Sequence, residues 1–209
     1  MTSSPTRSLG DLLLRIEAGK SPQCDTRPAA ADEWGVIKVS AMTYSRFLPE
    51  ENKALLPGAK FDVKHRIRAG DLLLSRANTK AYVGGVVMVP SDFEAQLLLC
   101  DKSLRLVLCE EQLDPTWLLW ALRSPGARAQ IEAVATGTKD SMRNISQANV
   151  RALRLQVPEL EVQRAQAERL EELEAGWIAT QTAIGYVQRR VRAARLSAIN
   201  YVLGSGTHD

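Results

Sequence analysis

Beyond Pro158 an apolar residue or a close substitute recurs at every heptad step: Leu170, Trp177, Ile184, Val191 and Ala198 in one series, Leu173, Thr180, Val187, Ala194 and Tyr201 in the other. A stripe this narrow predicts one long helix that buries itself against a second helix. From Glu159 to Val202 that helix would span roughly 65 Å at about 1.5 Å per residue. Before Pro158 the pattern changes to short apolar runs broken by polar segments and glycines, which predicts small strands and short helices around a shared core.

Within that first part, Ser8 and Asp11 form a capping-box pattern ahead of an apolar helix over 9–17, which Gly19 ends. Residues 20–32 read as loop, and 34–39 and 61–63 as strands with the polar segment 40–60 between them. Gly70 and Asp71 turn into a strand over 72–76, a loop over 77–82 follows, and Gly84 and Gly85 lead into a strand over 86–89. Residues 102–108 alternate polar with apolar, predicting a strand exposed on one face. Asp114 with Pro115, and Ser124 with Pro125, each place an N-cap before a first-turn proline, so two helices start there. Gly137 stops the second, 137–144 is a polar loop, Ser146 caps a short turn, and 153–157 is a final strand before the long helix.

Charge adds a direction to the long helix. Six acids stand against two arginines from Glu159 to Glu174, whereas Arg189, Arg190, Arg192 and Arg195 crowd the far end. The helix dipole favours this order, and two copies laid antiparallel would set acidic ends against basic ends. The net charge of +3 divides unevenly: residues 1–157 hold 21 basic against 17 acidic side chains, residues 158–209 hold 6 against 7. The basic excess therefore sits in the first part, which is compatible with a nucleic-acid partner. No apolar run approaches a membrane span, and the opening residues lack the apolar stretch of a secretory signal. Cys24, Cys100 and Cys109 are odd in number and lack metal-site spacing, which reads as reduced thiols in a cytoplasmic protein.

Catalytic patterns are missing. Gly19, Lys20 and Ser21 resemble the end of a phosphate-binding loop, but Leu14 stands where that loop needs its first glycine. The two histidines, His65 and His208, support neither a triad nor a metal cluster, and Ser45, Ser75 and Ser141 lie in no nucleophile elbow. Two polar segments carry the residue types that contact nucleic acid instead. Arg76, Asn78, Thr79, Lys80 and Tyr82 form one, and Thr136, Thr138, Lys139, Ser141, Arg143 and Asn144 the other. Arginine and lysine neutralise phosphate or pair with guanine, and asparagine reads adenine.

Several stretches resemble the specificity subunit of type I restriction-modification systems. They are Leu9-Gly10-Asp11 with Gly19-Lys20-Ser21-Pro22; the run from Ala69 through Asn78 with Val83-Gly84; and the run from Thr136 through Ser146 continuing by Leu153-Arg154-Leu155-Gln156-Val157-Pro158 to Gln163. The resemblance implies a domain that reads one half of a split DNA sequence, followed by a helical spacer that sets a distance and docks methyltransferase subunits. It also implies that catalysis, and the methyl donor S-adenosylmethionine, belong to the partner enzyme. Members of that family usually carry two recognition domains and two spacers, so the resemblance implies that one of each makes this chain either a half-size subunit or an excised half of a two-domain one.

The expected fold is therefore α+β: a mixed target-recognition domain over 1–157, a heptad helix over 158–203 and a disordered tail over 204–209. Expected partners are double-stranded DNA, methyltransferase subunits, the restriction subunit where one is present, and a second copy packed antiparallel through Leu170, Leu173, Trp177, Ile184, Val187 and Val191. Expected DNA contacts are Arg76, Asn78, Lys80, Lys139, Arg143 and Asn144, with Lys20, Thr43, Tyr44 and Tyr82 on the same surface. A free-standing dimeric DNA-binding regulator and a coiled-coil adaptor with a protein-binding head are the competing readings.

Overall fold

A computed structural model describes residues 4–43 and 45–204, with the backbone alone for Thr138 and for 201–204. It is α+β with a long C-terminal helix, as expected, and it divides into two compact units between Ala165 and Gln166.

The first unit is built on a four-stranded antiparallel sheet of order β2-β9-β5-β7, formed by β2 (Leu13–Ala18), β9 (Ser103–Leu108), β5 (Leu72–Ser75) and β7 (Val86–Met88). Every residue of β5 is buried, and Leu72, Leu73 and Leu74 are fully enclosed. Each such leucine contributes about 1.5–3 kcal/mol of burial. The helix expected over 9–17 is absent. Leu9–Leu12 forms a single 3-10 turn, and the chain then runs as β2 along β9. Ser8 does not cap; its Oγ donates to Asp11 Oδ2 at 2.6 Å instead. The long-range ladder satisfies the backbone and buries Leu13 and Ile16 while leaving Leu14 64% exposed, and this outweighs local helix preference.

The alternation over 102–108 does mark a strand, β9, but its polar face is not exposed. Arg105 is only 4% exposed, with Nη1 at 2.7 Å from Glu17 Oε2 and Nη2 at 2.9 Å from Asp71 Oδ2; Nη2 also donates to the Arg66 carbonyl. A guanidinium is stable in such a place only because acids and carbonyls surround it.

A second sheet has the order β4-β3-β8. In it β3 (Gly35–Ile37) pairs antiparallel with β4 (Asn52–Ala54) and parallel with β8 (Leu97–Leu98). The segment 40–60, read as polar connection, thus contributes a strand. Residues 61–63 do not form one: Val63–His65 is a 3-10 turn started by Asp62, whose side chain accepts from the Lys64 N–H, and Phe61 packs against Trp34 with ring centroids 4.9 Å apart. Val36, Ile37, Leu97 and Leu98 close a core with Met42, Phe47 and Ile67.

The other capping signals hold. Asp114 accepts from the Trp117 N–H at the start of α1 (Pro115–Arg123), Ser124 from Ala127 at the start of α2 (Pro125–Val134), and Ser146 from Asn149 at the start of α3 (Gln147–Ala152). Helix α2 stops at Val134, ahead of Gly137, with Ala135 as its C-cap. The expected last strand, β12 (Arg154–Gln156), pairs antiparallel with β1 (Thr6–Ser8).

Helix α4 (Leu160–Gly204) begins inside the first unit. Gln163 is 1% exposed there; its Nε2 donates to the Gln112 and Pro158 carbonyls at 3.0 and 2.9 Å, and its Oε1 accepts from the Asp114 N–H at 2.9 Å. Gly204, assigned to the tail by the sequence pattern, is helical. The remaining tail residues lie outside the described ones. In the second unit Leu170 is half-buried and Leu173, Trp177, Ile184, Val187 and Val191 are exposed, Trp177 to 61%. Among the described residues no helix is long and apolar enough to cross a membrane.

Candidate functional site

The two polar segments meet in one three-stranded sheet of order β10-β11-β6, made of β10 (Thr136–Lys139), β11 (Met142–Asn144) and the two-residue β6 (Ala77–Asn78). Arg143 stands opposite Asn78 and Asn144 opposite Ala77. Thr136 stands opposite Asn144, and Lys139 opposite Met142. The stretches 77–82 and 137–144, expected as loops, are thus partly strand. Their sequences hide this because the strands are short and polar, so no apolar alternation marks them.

Glycines make the geometry available. Gly137 adopts φ +136°, and a Cβ there would stand 2.4 Å from the Met142 carbonyl oxygen, so the hairpin closes only around a residue without a side chain. Gly84, at φ +68°, returns the chain after Thr79: its N–H donates to the Ser75 carbonyl at 2.7 Å, while Tyr82 and Val83 donate to the Thr79 carbonyl. This tight return presents Arg76 to Lys80 at the end of β5. The Lys80 N–H then donates to the Asp140 carbonyl at 2.8 Å, tying this segment to the hairpin tip.

The expected contact residues fall into different situations. Lys80 and Lys139 are exposed and Arg76 is half-buried; among the described residues none of the three has an ion pair. Asn78 donates from Nδ2 to Thr43 Oγ1 at 3.4 Å and accepts at Oδ1 from the Thr79 N–H at 2.8 Å, which brings Thr43 to the same sheet. Arg143 is committed within the protein: Nη1 donates to the Gly137 carbonyl at 2.8 Å and Nη2 to the Ala135 carbonyl at 2.9 Å. Asn144 accepts at its own carbonyl from Thr136 Oγ1 at 3.4 Å. Tyr82, partly exposed, lines a cleft of about 240 Å³ with Thr43, Arg123 and Arg128. Burial holds the Arg128 guanidinium below its ordinary pKa, and its Nη1 donates to the Val83 carbonyl at 2.8 Å.

Lys20 is exposed after β2, where its N–H donates to the Leu99 carbonyl at 3.2 Å; no hydrogen bond among the described residues joins it to the hairpin sheet. Tyr44 lies outside the described residues. Lys102 was not singled out by the sequence, yet its carbonyl accepts from the Arg76 N–H at 3.0 Å. The only local signal for it was the start of an alternating run.

In the helical unit, the polar seam residue Thr180 turns its hydroxyl back on the Gly176 carbonyl at 2.8 Å, so it is satisfied without a partner helix. Tyr201, the last seam position, has no described side chain. Arg169 and Glu172 pair at 3.0 Å on the acidic stretch. Among the described residues no group of three or more His, Cys, Asp or Glu side chains is placed to hold a metal ion.

Comparison with known proteins places these features in context. No family model matches the chain. The specificity subunit of the Escherichia coli type I restriction enzyme EcoEI is 29% identical to it over 157 residues, covering 74% of this chain and 26% of that subunit. Three solved structures share its fold at 16% identity. One belongs to work on complex assembly and conformational transition of the type I restriction-modification system (TM-score 0.63, 93% of this chain, 44% of that one). The others are the S subunit from M. genitalium (0.54, 82% and 39%) and the HsdS subunit from Thermoanaerobacter tengcongensis (0.52, 88% and 40%). The chain therefore spans about a quarter of the E. coli relative and less than half of each solved chain.

Proposed function

We propose that this chain, similar in sequence and in fold to type I restriction-modification specificity subunits, recognises one half-site of a split duplex sequence and positions methyltransferase subunits there. The observation that supports the reading is the β6-β11-β10 sheet, which brings Asn78, Lys139 and Asn144, with Arg76 and Lys80 flanking β6, from two distant segments to one small polar sheet. Cations around that sheet without an ion pair supply attraction to phosphate, and amides supply hydrogen bonds to base edges. Arg143 serves the same sheet by holding the hairpin in shape through the Ala135 and Gly137 carbonyls.

The helix has the complementary task. Its exposed apolar seam, acidic near the start and arginine-rich near the end, suits an antiparallel second copy, and two copies restore the paired recognition units that a split target requires. In this reading the protein is a cytoplasmic, non-catalytic subunit. The methyltransferase partner holds S-adenosylmethionine, and a restriction subunit joins the same assembly where one exists.

The test is a map of methylated sites in host cells with and without this subunit. The expected result is a bipartite motif that loses methylation when the subunit is removed and regains it on complementation. An unchanged methylation map would overturn the proposal and leave a regulator or an adaptor.

A further inference from the structure

On another part of the first unit, a cleft of about 560 Å³ opens beside β3, β4 and the turn before β9, lined by Ser21, Lys38, Ser40, Lys53, Asp101 and Lys102 among others. Its charges do not simply cancel. Glu51 neutralises Lys38 at 3.2 Å and also accepts from Ser40 Oγ, and Asp101 accepts from Ser21 Oγ at 2.6 Å. Among the described residues neither Lys53 nor Lys102 has an ion pair. Lys53 sits opposite Val36 across the β3–β4 pair, and Lys102 in the turn just before β9. Exposed Lys20 adjoins Ser21 at the same cleft.

The cleft is joined to the hairpin sheet through the backbone. The Lys102 carbonyl that accepts from the Arg76 N–H makes Lys102, at the cleft, a backbone neighbour of Arg76, beside the sheet. Compact ammonium groups on flexible stems suit phosphate as point charges and carry little base preference. Placement beside the polar sheet suits a backbone grip, since phosphate contacts set position while base contacts set sequence.

We infer that this cleft grips the sugar-phosphate backbone of the duplex, with Lys53 and Lys102 as positioning residues that act without regard to sequence. The inference rests on the DNA-recognition reading and divides its surface in two: a reading sheet and a sequence-blind grip.

Equilibrium binding by the assembled complex, with target and non-target duplexes between about 50 and 200 mM salt, tests it. For Lys53→Ala and Lys102→Ala the expected result is an equal loss of affinity on both duplexes. The salt slope should also fall by about one per lysine, so the affinity lost across that salt range shrinks about 3.5-fold per substitution. Lys53→Arg and Lys102→Arg should restore both. If the unmodified complex binds DNA with normal salt dependence and both alanine variants match it, the grip is overturned while the reading sheet stands. Loss confined to the target duplex would also overturn it. Absence of salt-dependent binding by the unmodified complex would overturn the DNA reading and the grip together.

Discussion

Asn78 and Arg143 stand opposite each other across an antiparallel strand pair, and this pairing joins the end of β5 to a hairpin that follows α2. The two side chains have diverged in role. Asn78 reaches Thr43 with its amide, while Arg143 turns its guanidinium onto the carbonyls of its own hairpin.

The cations left free on that sheet should be the ones that DNA senses. Arg76→Ala and Lys139→Ala are expected to weaken target binding at matched salt, by about 1–3 kcal/mol where the side chain reads a base and less where it meets phosphate. Fluorescence anisotropy with target and scrambled duplexes, beside urea unfolding to show that both variants remain folded, checks this.

Arg143→Ala should act first on stability. Two charge-assisted hydrogen bonds to the Ala135 and Gly137 carbonyls are lost, at a cost of about 1.5–3 kcal/mol each before relaxation and solvent compensation. Arg143→Lys should rescue little, because a single ammonium lacks the fork that reaches both carbonyls. The measurement is urea unfolding, with Lys139→Ala as the neighbouring control that should scarcely change it.

Arg105 sits between Glu17 and Asp71, and removing it should destabilise the protein by about 3–5 kcal/mol, since two acids lose their buried partner. The two acids respond oppositely to pH. Burial alone would raise the Glu17 carboxyl, but hydrogen bonds from Arg15 and Arg105 outweigh it and hold the group below its ordinary value. Glu17 therefore adds stability above its unfolded pKa that is lost as pH falls through the lower folded one. Asp71 is pushed up by burial, against the Arg68 N–H and Arg105, so its ionised form is a liability that acid relieves. Glu17→Gln should accordingly flatten the loss of stability between about pH 5 and pH 2, and Asp71→Asn should steepen it. Urea titrations at several pH values would show a contrary order if either sign is wrong.

The seam of α4 should respond to charge. Trp177→Glu together with Val187→Glu is expected to turn a concentration-dependent dimer into a monomer, with the first unit's unfolding midpoint unchanged. Analytical ultracentrifugation reads the first effect and denaturant unfolding the second; a wild-type chain that stays monomeric at every concentration would refute pairing with a second copy.

How far this could be seen beforehand depended on distance along the chain. The caps at Asp114, Ser124 and Ser146 were legible because donor and acceptor lie three residues apart, and the heptad seam because its period needs no partner to be recognised. Strand β2 was not: Leu9, Leu12, Leu13 and Ile16 have a helix-like apolar spacing, and only pairing with β9, far along the chain, decides against a helix. Arg105 looked like an outward residue of an alternating strand because its acids come from two other strand regions. The candidate contact residues were visible as residue types, but their assembly was not, since nothing local announces that Ala77 and Asn78 will become a third strand beside β11.

Gly137 and the guanidinium of Arg143 also bear on how such a protein can change. The hairpin's shape is carried by main-chain atoms: a glycine that no side chain can replace, and carbonyls of Ala135 and Gly137 held by the Arg143 guanidinium. Among the described residues no side-chain hydrogen bond or ion pair ties Lys139, Asp140 or Ser141 to that frame. Substitutions there should cost little stability, so under the proposed DNA reading the preferred sequence can change a residue at a time while the fold that carries it stays constant.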